Sequence, residues 1–315
     1  MNRPWFVPAI AAAALLALQP VLSPYLTDLV VKIAIYAVFA LSLELLVGVT
    51  GLVSLGHAAF LGIGAYVTVL AAGDSGGSVL RVLPLAVLAA AAYALFVGAL
   101  SLRTKGVYFI MVTLAFAQMA YFVFHDTKLA GGSDGLFLYA KPSLGGLNLD
   151  DRRTMYFAVI GTLIATYALL ALLMRSRFGH ALAGIRVNEQ RMRAAGYPTY
   201  GYKLAAFVVA GALAGVAGFL LAVKDGAVNP ELLSWHESGA VLLMLILGGL
   251  GSLRGAVIGA IAFTLLKELF QLEALLGPLA SHWQLTLGLT IIAFVALLPK
   301  GLIGLTRRAT GAAHG

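Results

Sequence analysis

Uninterrupted apolar runs of membrane length recur along this chain from one end to the other. A bilayer core of about 30 Å takes about 20 apolar residues per helix. Read against that length, residues 5–22, 29–49, 51–72, 82–101, 107–125, 155–174, 204–223, 238–250, 255–272 and 284–298 form ten candidate spans. A soluble core does not fit the composition. Hydrophobic residues make up 61% and charged residues 11%, where soluble domains run at about 45–50% and about 25%. The sequence predicts an all-α polytopic membrane bundle of about ten transmembrane spans, with residues 1–315 as one domain. The eighth run is short and leads into Leu247-Gly-Gly-Leu-Gly-Ser252. It reads as a broken or re-entrant helix, a shape tolerated only where it is buried in protein or lines a cavity.

The loops orient the bundle. Connecting segments rich in Lys and Arg face the cytoplasm. With ten spans, Arg3, Arg103, Lys105, the segment Arg175–Lys203, Arg254, Lys300, Arg307 and Arg308 all fall on one side, so both termini are expected to be cytoplasmic. The opposite loops are neutral or acidic. Lys224–Glu237 carries Asp225, Glu231 and Glu237, and in Asp126–Thr154 the pair Arg152-Arg153 is offset by Asp150-Asp151. The first span also has the shape of a signal peptide, with a basic start, an apolar stretch and then Gln19-Pro20. Its cleavage would leave nine spans and the same orientation for the rest. The net charge of +8 comes largely from loops. It reads as topology and contact with anionic membrane lipid, not as nucleic-acid binding.

Much chemistry is missing. The chain has no cysteine, hence no disulfide, thiolate metal site or cysteine nucleophile. No G-x-x-x-x-G-K-[ST] stretch is present to bind ATP. Gly131-Gly-Ser-Asp-Gly135 lacks a following basic residue and reads as turn chemistry. His236-Glu237 lacks a second histidine, and His57, His125, His180, His282 and His314 show no ligand spacing, so no metal site is expected.

Few polar residues lie within the spans: Lys32, Glu44, Ser54, His57, Gln118 and Lys267. Polar groups in hydrocarbon turn toward the bundle interior, a cavity or an interface. Lys32 and Lys267 lie near span ends and read as snorkelling lysines. Glu44 lies near a cytoplasmic end, where a structural hydrogen bond and a transport role are equally open. Ser54, His57 and Gln118 are candidates for a translocation pathway. The small-residue repeats Gly211-xxx-Gly215 and Gly251-xxx-Gly255-xxx-Gly259 read as close helix packing within the chain.

The basic segment Arg175–Lys203 is too long and too patterned for a simple turn. It carries six Lys/Arg against one acid, Glu189. From His180 to Ala195 it has no Pro and a single glycine, Gly184, and Ala181, Ile185, Met192 and Ala195 suit one apolar helical face. Gly196 then gives a stop signal, followed by Pro198. Two short helices, or one bent helix, are expected outside the membrane. From these residues alone, a helix lying on anionic headgroups and a docking helix for a cytoplasmic partner are both open.

Several blocks together resemble one family. Arg186-Val-Asn188-Glu189, Ala194-Ala195-Gly196 and Lys203-Leu-Ala-Ala206-Phe207 are similar to the cytoplasmic coupling region of branched-chain amino-acid ABC importer permeases of the LivM type. So are Gly51-Leu-Val-Ser54-Leu-Gly56-His57-Ala-Ala-Phe60-Leu-Gly62-Ile-Gly64-Ala-Tyr66, Leu102-Arg-Thr-Lys-Gly106-Val-Tyr108-Phe109 through Gln118, and Gly131–Gly135. Gly248–Gly259 and Pro299-Lys300-Gly301-Leu302 extend the resemblance over about residues 25–305. Gln190-Arg-Met-Arg193 departs from it, since relatives often carry smaller or acidic residues there.

The resemblance implies a non-catalytic transmembrane permease domain in a bacterial inner membrane. It implies a second, homologous LivH-like permease, two cytoplasmic ATPase subunits that hold ATP and Mg, and an extracytoplasmic substrate-binding protein. No cofactor is expected in this chain. Arg186, Asn188, Glu189, Ala195 and Gly196 are the residues it implies for ATPase coupling. The substrate is expected to be a branched-chain amino acid. Urea, short amides and aromatic compounds stay open as substrates, as does a stand-alone channel or secondary transporter.

Overall fold

The computed structural model describes residues 6–19, 22–145, 147–272, 282–298 and 301–304. Arg3, Pro20, Pro299, Lys300, Arg307, Arg308, His314 and the two termini lie outside the described residues. The helices are α1 (Phe6–Leu18), α2 (Pro24–Glu44), α3 (His57–Ala72), α4 (Val79–Ser101), α5 (Val107–Asp126), α6 (Arg152–Arg175), α7 (Arg177–Val187), α8 (Glu189–Ala194), α9 (Thr199–Asp225), α10 (Trp235–Gly248), α11 (Leu253–Gln271) and α12 (Trp283–Leu297). Each of the ten apolar runs coincides with a helix. Among the described residues, six helical stretches are long and apolar enough to cross a membrane. They start at Pro24, Val79, Val107, Arg152, Thr199 and Trp283. Helices α10 and α11 meet at a 115° bend, the interruption expected from the glycine-rich run after Leu247. The all-α bundle is decorated by antiparallel two-residue strand pairs outside the spans, β1 (Leu136–Phe137) with β4 (Ala227–Val228) and β2 (Ser143–Leu144) with β3 (Leu147–Asn148). Gly131–Gly135 forms consecutive tight turns that seat Gly135 against Val228, so it is turn chemistry.

Two helices form the centre. In the most apolar stretches of α2 and α9, 78% of residues are buried, against 33%, 22% and 28% in α4, α5 and α6. The latter three therefore turn most of their surface away from the rest of the chain. Close approach at the centre comes from small side chains. Gly211 and Gly215 of α9 sit against Ala90 and Ala94 of α4, and Gly218 against the Leu61 backbone of α3. Gly255 and Gly259 of α11 likewise meet the α10 backbone at Gly248 and Met244. Gly211, Gly215, Gly255 and Gly259 thus pack within the chain, while Gly251 lies in the turn before α11 at φ 87°. In lipid, where burial of apolar surface gives helices little reason to associate, such backbone contact supplies the packing energy.

Helix α2 begins with Ser23 as its cap and Pro24 in its first turn. It ends in a π-helical turn, Leu45–Thr50, closed by Gly51 at φ 75°. Helix α10 runs beside α2 in the same direction. Glu237, near its start, faces Tyr36, and Gly251 and Ser252, just past its end, face Glu44. Helix α11 then returns, bringing Glu268 to Lys32 near the start of α2. The bundle thus has two distinct ends beside α2, one at Glu44–Gly51 and one at Lys32–Tyr36.

Candidate functional site

The basic segment folds as two short helices set almost end to end. Ser176 caps α7 by accepting from the Gly179 N–H at 3.3 Å. Asn188 breaks the helix and caps α8, its Oδ1 accepting from the Arg191 N–H at 2.9 Å. The far end of α8 closes through Gly196. At φ 86° Gly196 donates to the Arg193 carbonyl at 2.9 Å, and Tyr197 donates to Met192 at 3.0 Å. Paired bonds of this kind around a left-handed glycine terminate helices. Each of these breaks is legible in the local residue types.

What fastens the segment to the bundle is not local. Glu189 Oε1 accepts from Arg193 Nη2 at 2.7 Å, Lys203 Nζ at 2.9 Å and Thr199 Oγ1 at 3.1 Å. Lys203 and Thr199 belong to the first turns of α9 and are buried. Arg193 Nε also donates to Thr199 Oγ1 at 3.0 Å. The clasp ties α8 to one of the two central helices. Burial opposes ionisation of Glu189. Lys203, Thr199 and Arg193 outweigh it and hold the carboxyl below its usual range.

A second fastening comes from α7. The Arg186 stem lies against Gly51, and its Nη1 donates to the Gly48 carbonyl in the π-helical turn of α2. Its charge also faces Glu44, whose carboxylate is buried over Gly48 and beside the Gly251–Ser252 backbone. Thus α7, the end of α2 and the α10–α11 turn meet around one buried acid and one arginine. Neither Glu44 carboxylate oxygen has a hydrogen-bond partner among the described residues, so only the nearby Arg186 charge and backbone dipoles offset its burial.

The residues read as coupling positions therefore divide. Arg186, Asn188 and Glu189 hold the segment's own geometry, while Ala195 and Gly196 are exposed at its tip. Sequence reading missed the apolar residues that stand out beside them: Val187 is 84% exposed, and Tyr197 and Tyr200 also face outward. Thr199 and Lys203 were missed as Glu189 partners. Only Arg193, four residues on from Glu189, carries a helix-spacing signal.

The three pathway candidates lie apart from this end's contacts. Ser54 is buried and accepts from the Gly56 N–H at 3.3 Å. His57 is buried, with Nε2 2.8 Å from Ser42 Oγ and its ring stacked on Phe39 at 5.4 Å. Gln118 is half-buried on α5, and no described hydrogen bond joins it to the other two.

Comparison with known proteins decides the family. Residues 25–297 match the model for the permease component of branched-chain amino-acid transport systems. The chain belongs to the branched-chain amino-acid permease family. It is 30% identical over 304 residues to the high-affinity branched-chain amino acid transport permease LivM of Escherichia coli K12, covering 89% of this chain and 70% of that protein. It is 24% identical over 264 residues to BraD of Pseudomonas aeruginosa, covering 77% and 85%. LivH of Escherichia coli K12 is 27% identical over 146 residues, 46% of each chain. No solved structure matches this permease. The permease is a multi-pass membrane protein, and its relatives are transport subunits rather than enzymes.

Proposed function

We propose that this chain is the transmembrane subunit of an ATP-driven importer of branched-chain amino acids. Its partners in that reading are a homologous LivH-like permease, two cytoplasmic ATPase subunits carrying ATP and Mg, and an extracytoplasmic binding protein. The observation that carries it is the α7–α8 segment. It is fastened to both central helices through Arg186 and Glu189, while Val187, Ala195, Tyr197 and Tyr200 remain exposed. A segment fastened on one side, with apolar side chains exposed among basic ones such as Arg191 on the other, suits a lever that a motor subunit grips. Similarity to both LivM and LivH supports a pair of related permeases.

In this reading all ten helical runs cross or re-enter a bacterial inner membrane, with both termini and α7–α8 on the cytoplasmic side. Ser54, His57 and Gln118 lie along the route between the two faces.

Two experiments test the reading. Mild-detergent purification through a tag on this chain, followed by intact-complex mass spectrometry, should recover two ATPases and a second permease. Recovery of the chain alone would favour a stand-alone transporter. The double variant Glu189→Arg with Gly196→Pro removes the clasp and forbids the φ of 86°. It should insert normally and abolish ATP-driven uptake, and normal uptake would end the coupling assignment.

A further inference from the structure

We propose that the cavity between α2, α10, α11 and α12 binds a zwitterionic α-amino acid with an aliphatic side chain. The identity of the ligand rests on the importer reading. The cavity and its charges do not. The space is about 570 Å³, within the range of about 300–1,000 Å³ usual for small-molecule sites. It lies at the Lys32–Tyr36 end of α2, away from the α7–α8 fastenings.

The walls sort by chemistry. Two lysines, Lys32 and Lys267, and two glutamates, Glu231 and Glu237, line it, so its fixed charges balance. Two of the four are already engaged: Lys32 pairs with Glu268 at 2.7 Å, and Glu231 accepts from Tyr121 at 3.3 Å. Among the described residues, neither Lys267 nor Glu237 is in an ion pair. Lys267 Nζ stands 5.3 Å from the centre of the Trp283 ring, and Glu237 has the Tyr36 hydroxyl beside it. The two charges also act on each other. One cation and one anion, outside any ion pair among the described residues, therefore face a single cavity. His236, Thr264 and Gln284 add polar groups, and Leu243, Met244, Phe263 and Leu287 supply an apolar wall.

A ligand carboxylate on Lys267 and its ammonium on Glu237 would each gain a charge-assisted hydrogen bond. Its side chain would lie on the apolar wall. A purely anionic or purely cationic ligand would leave one half-buried charge of the pair unanswered, at a cost in affinity. An import site must also release its ligand, which suits a modest number of polar contacts.

The chain has three tryptophans, Trp5, Trp235 and Trp283, and the last two line the cavity. The test uses the full chain in nanodiscs with Trp5→Phe, so that both remaining indoles report from the cavity. Emission is titrated with L-leucine, with leucinamide, which lacks the carboxylate, and with 4-methylpentanoate, which lacks the ammonium. A saturable response to leucine, at least roughly tenfold weaker for each analogue, is expected. Glu237→Gln and Lys267→Gln should each weaken the leucine response by a similar factor. No saturable response overturns the proposal, and so does an equal response to all three ligands. A response to 4-methylpentanoate as strong as that to leucine also overturns it, marking an anion site such as one for a lipid headgroup. The ligand series needs neither charge variant, so a variant that fails to fold does not decide the outcome. ATP-driven leucine uptake by the complete transporter is measured separately. If uptake is absent while leucine still changes the emission, the importer reading falls and the cavity stands. If uptake is intact and the emission does not respond, the cavity assignment falls alone.

Discussion

At the two ends of α2, similar residues are put to opposite uses. Around Glu44–Gly51, Arg186 donates to the Gly48 carbonyl with its charge facing Glu44, and Glu189 is committed to Arg193, Thr199 and Lys203. Around Lys32–Tyr36, Lys267 and Glu237 line a cavity and enter no described ion pair. Charge at the first end fixes geometry; at the second Lys32 is paired with Glu268, while Lys267 and Glu237 enter no described ion pair. The difference follows from distance to a partner, not from residue type. A salt bridge already made within the chain offers nothing to a ligand, whereas an unpaired charge in a partly enclosed space is costly unless something binds there. The contrast also separates a rigid lever from a receptive pocket within one bundle.

The largest break in that contrast should come from Arg186→Ala. It strips Glu44 of its countercharge and Gly48 of its donor. Because Arg186 is itself partly exposed, the loss should be about 1–3 kcal/mol and not the full cost of breaking a buried pair. Thermal unfolding in detergent measures it. Adding Glu44→Gln to Arg186→Ala should recover part of the loss, and the double-mutant cycle gives the coupling between the two sites. Strict additivity would remove Glu44 from the fastening.

A step smaller, Glu189→Gln should cost about 1 kcal/mol, since a neutral amide keeps some of the hydrogen bonds but loses the charge. The same clasp has a pH signature. Its folded carboxyl sits below the ordinary value of 4.5, so its contribution is complete above that pH. The contribution fades as pH falls through the folded value. The gap in unfolding temperature between wild type and Glu189→Gln should therefore hold from neutral pH down to about 4.5 and close as pH falls from there through the folded value. A gap that widened on acidification would contradict the assigned sign.

The smallest effect belongs to the other end. Glu237→Gln and Lys267→Gln should change stability by less than about 0.5 kcal/mol, or raise it, because no described ion pair is lost. A loss as large as that of Arg186→Ala would place these charges in a structural role and erase the comparison.

Local patterns carried far into the fold. The length and hydropathy of each run located the ten apolar helices, and the glycines at 211, 215, 255 and 259 located the tight packing. Asn188 as a cap and Gly196 as a stop marked the joints of α7 and α8, because a helix end is satisfied by groups within a few residues of it. Lys32 and Lys267 went the other way. Read as snorkelling lysines at span ends, they line a cavity, one paired with Glu268 and the other set over Trp283.

The sequence by itself determined what the solvent is, where the chain turns helical and where each helix stops. These follow from apolar length and from hydrogen bonds that close over three or four residues. Only the tertiary structure decided that Arg186 would reach Gly48, 138 positions away, and that Lys32 would meet Glu268, 236 positions away. Such pairings depend on which helix faces lie together. Helix faces are chosen in lipid by backbone fit and small side chains over whole lengths, and no local periodicity encodes that choice.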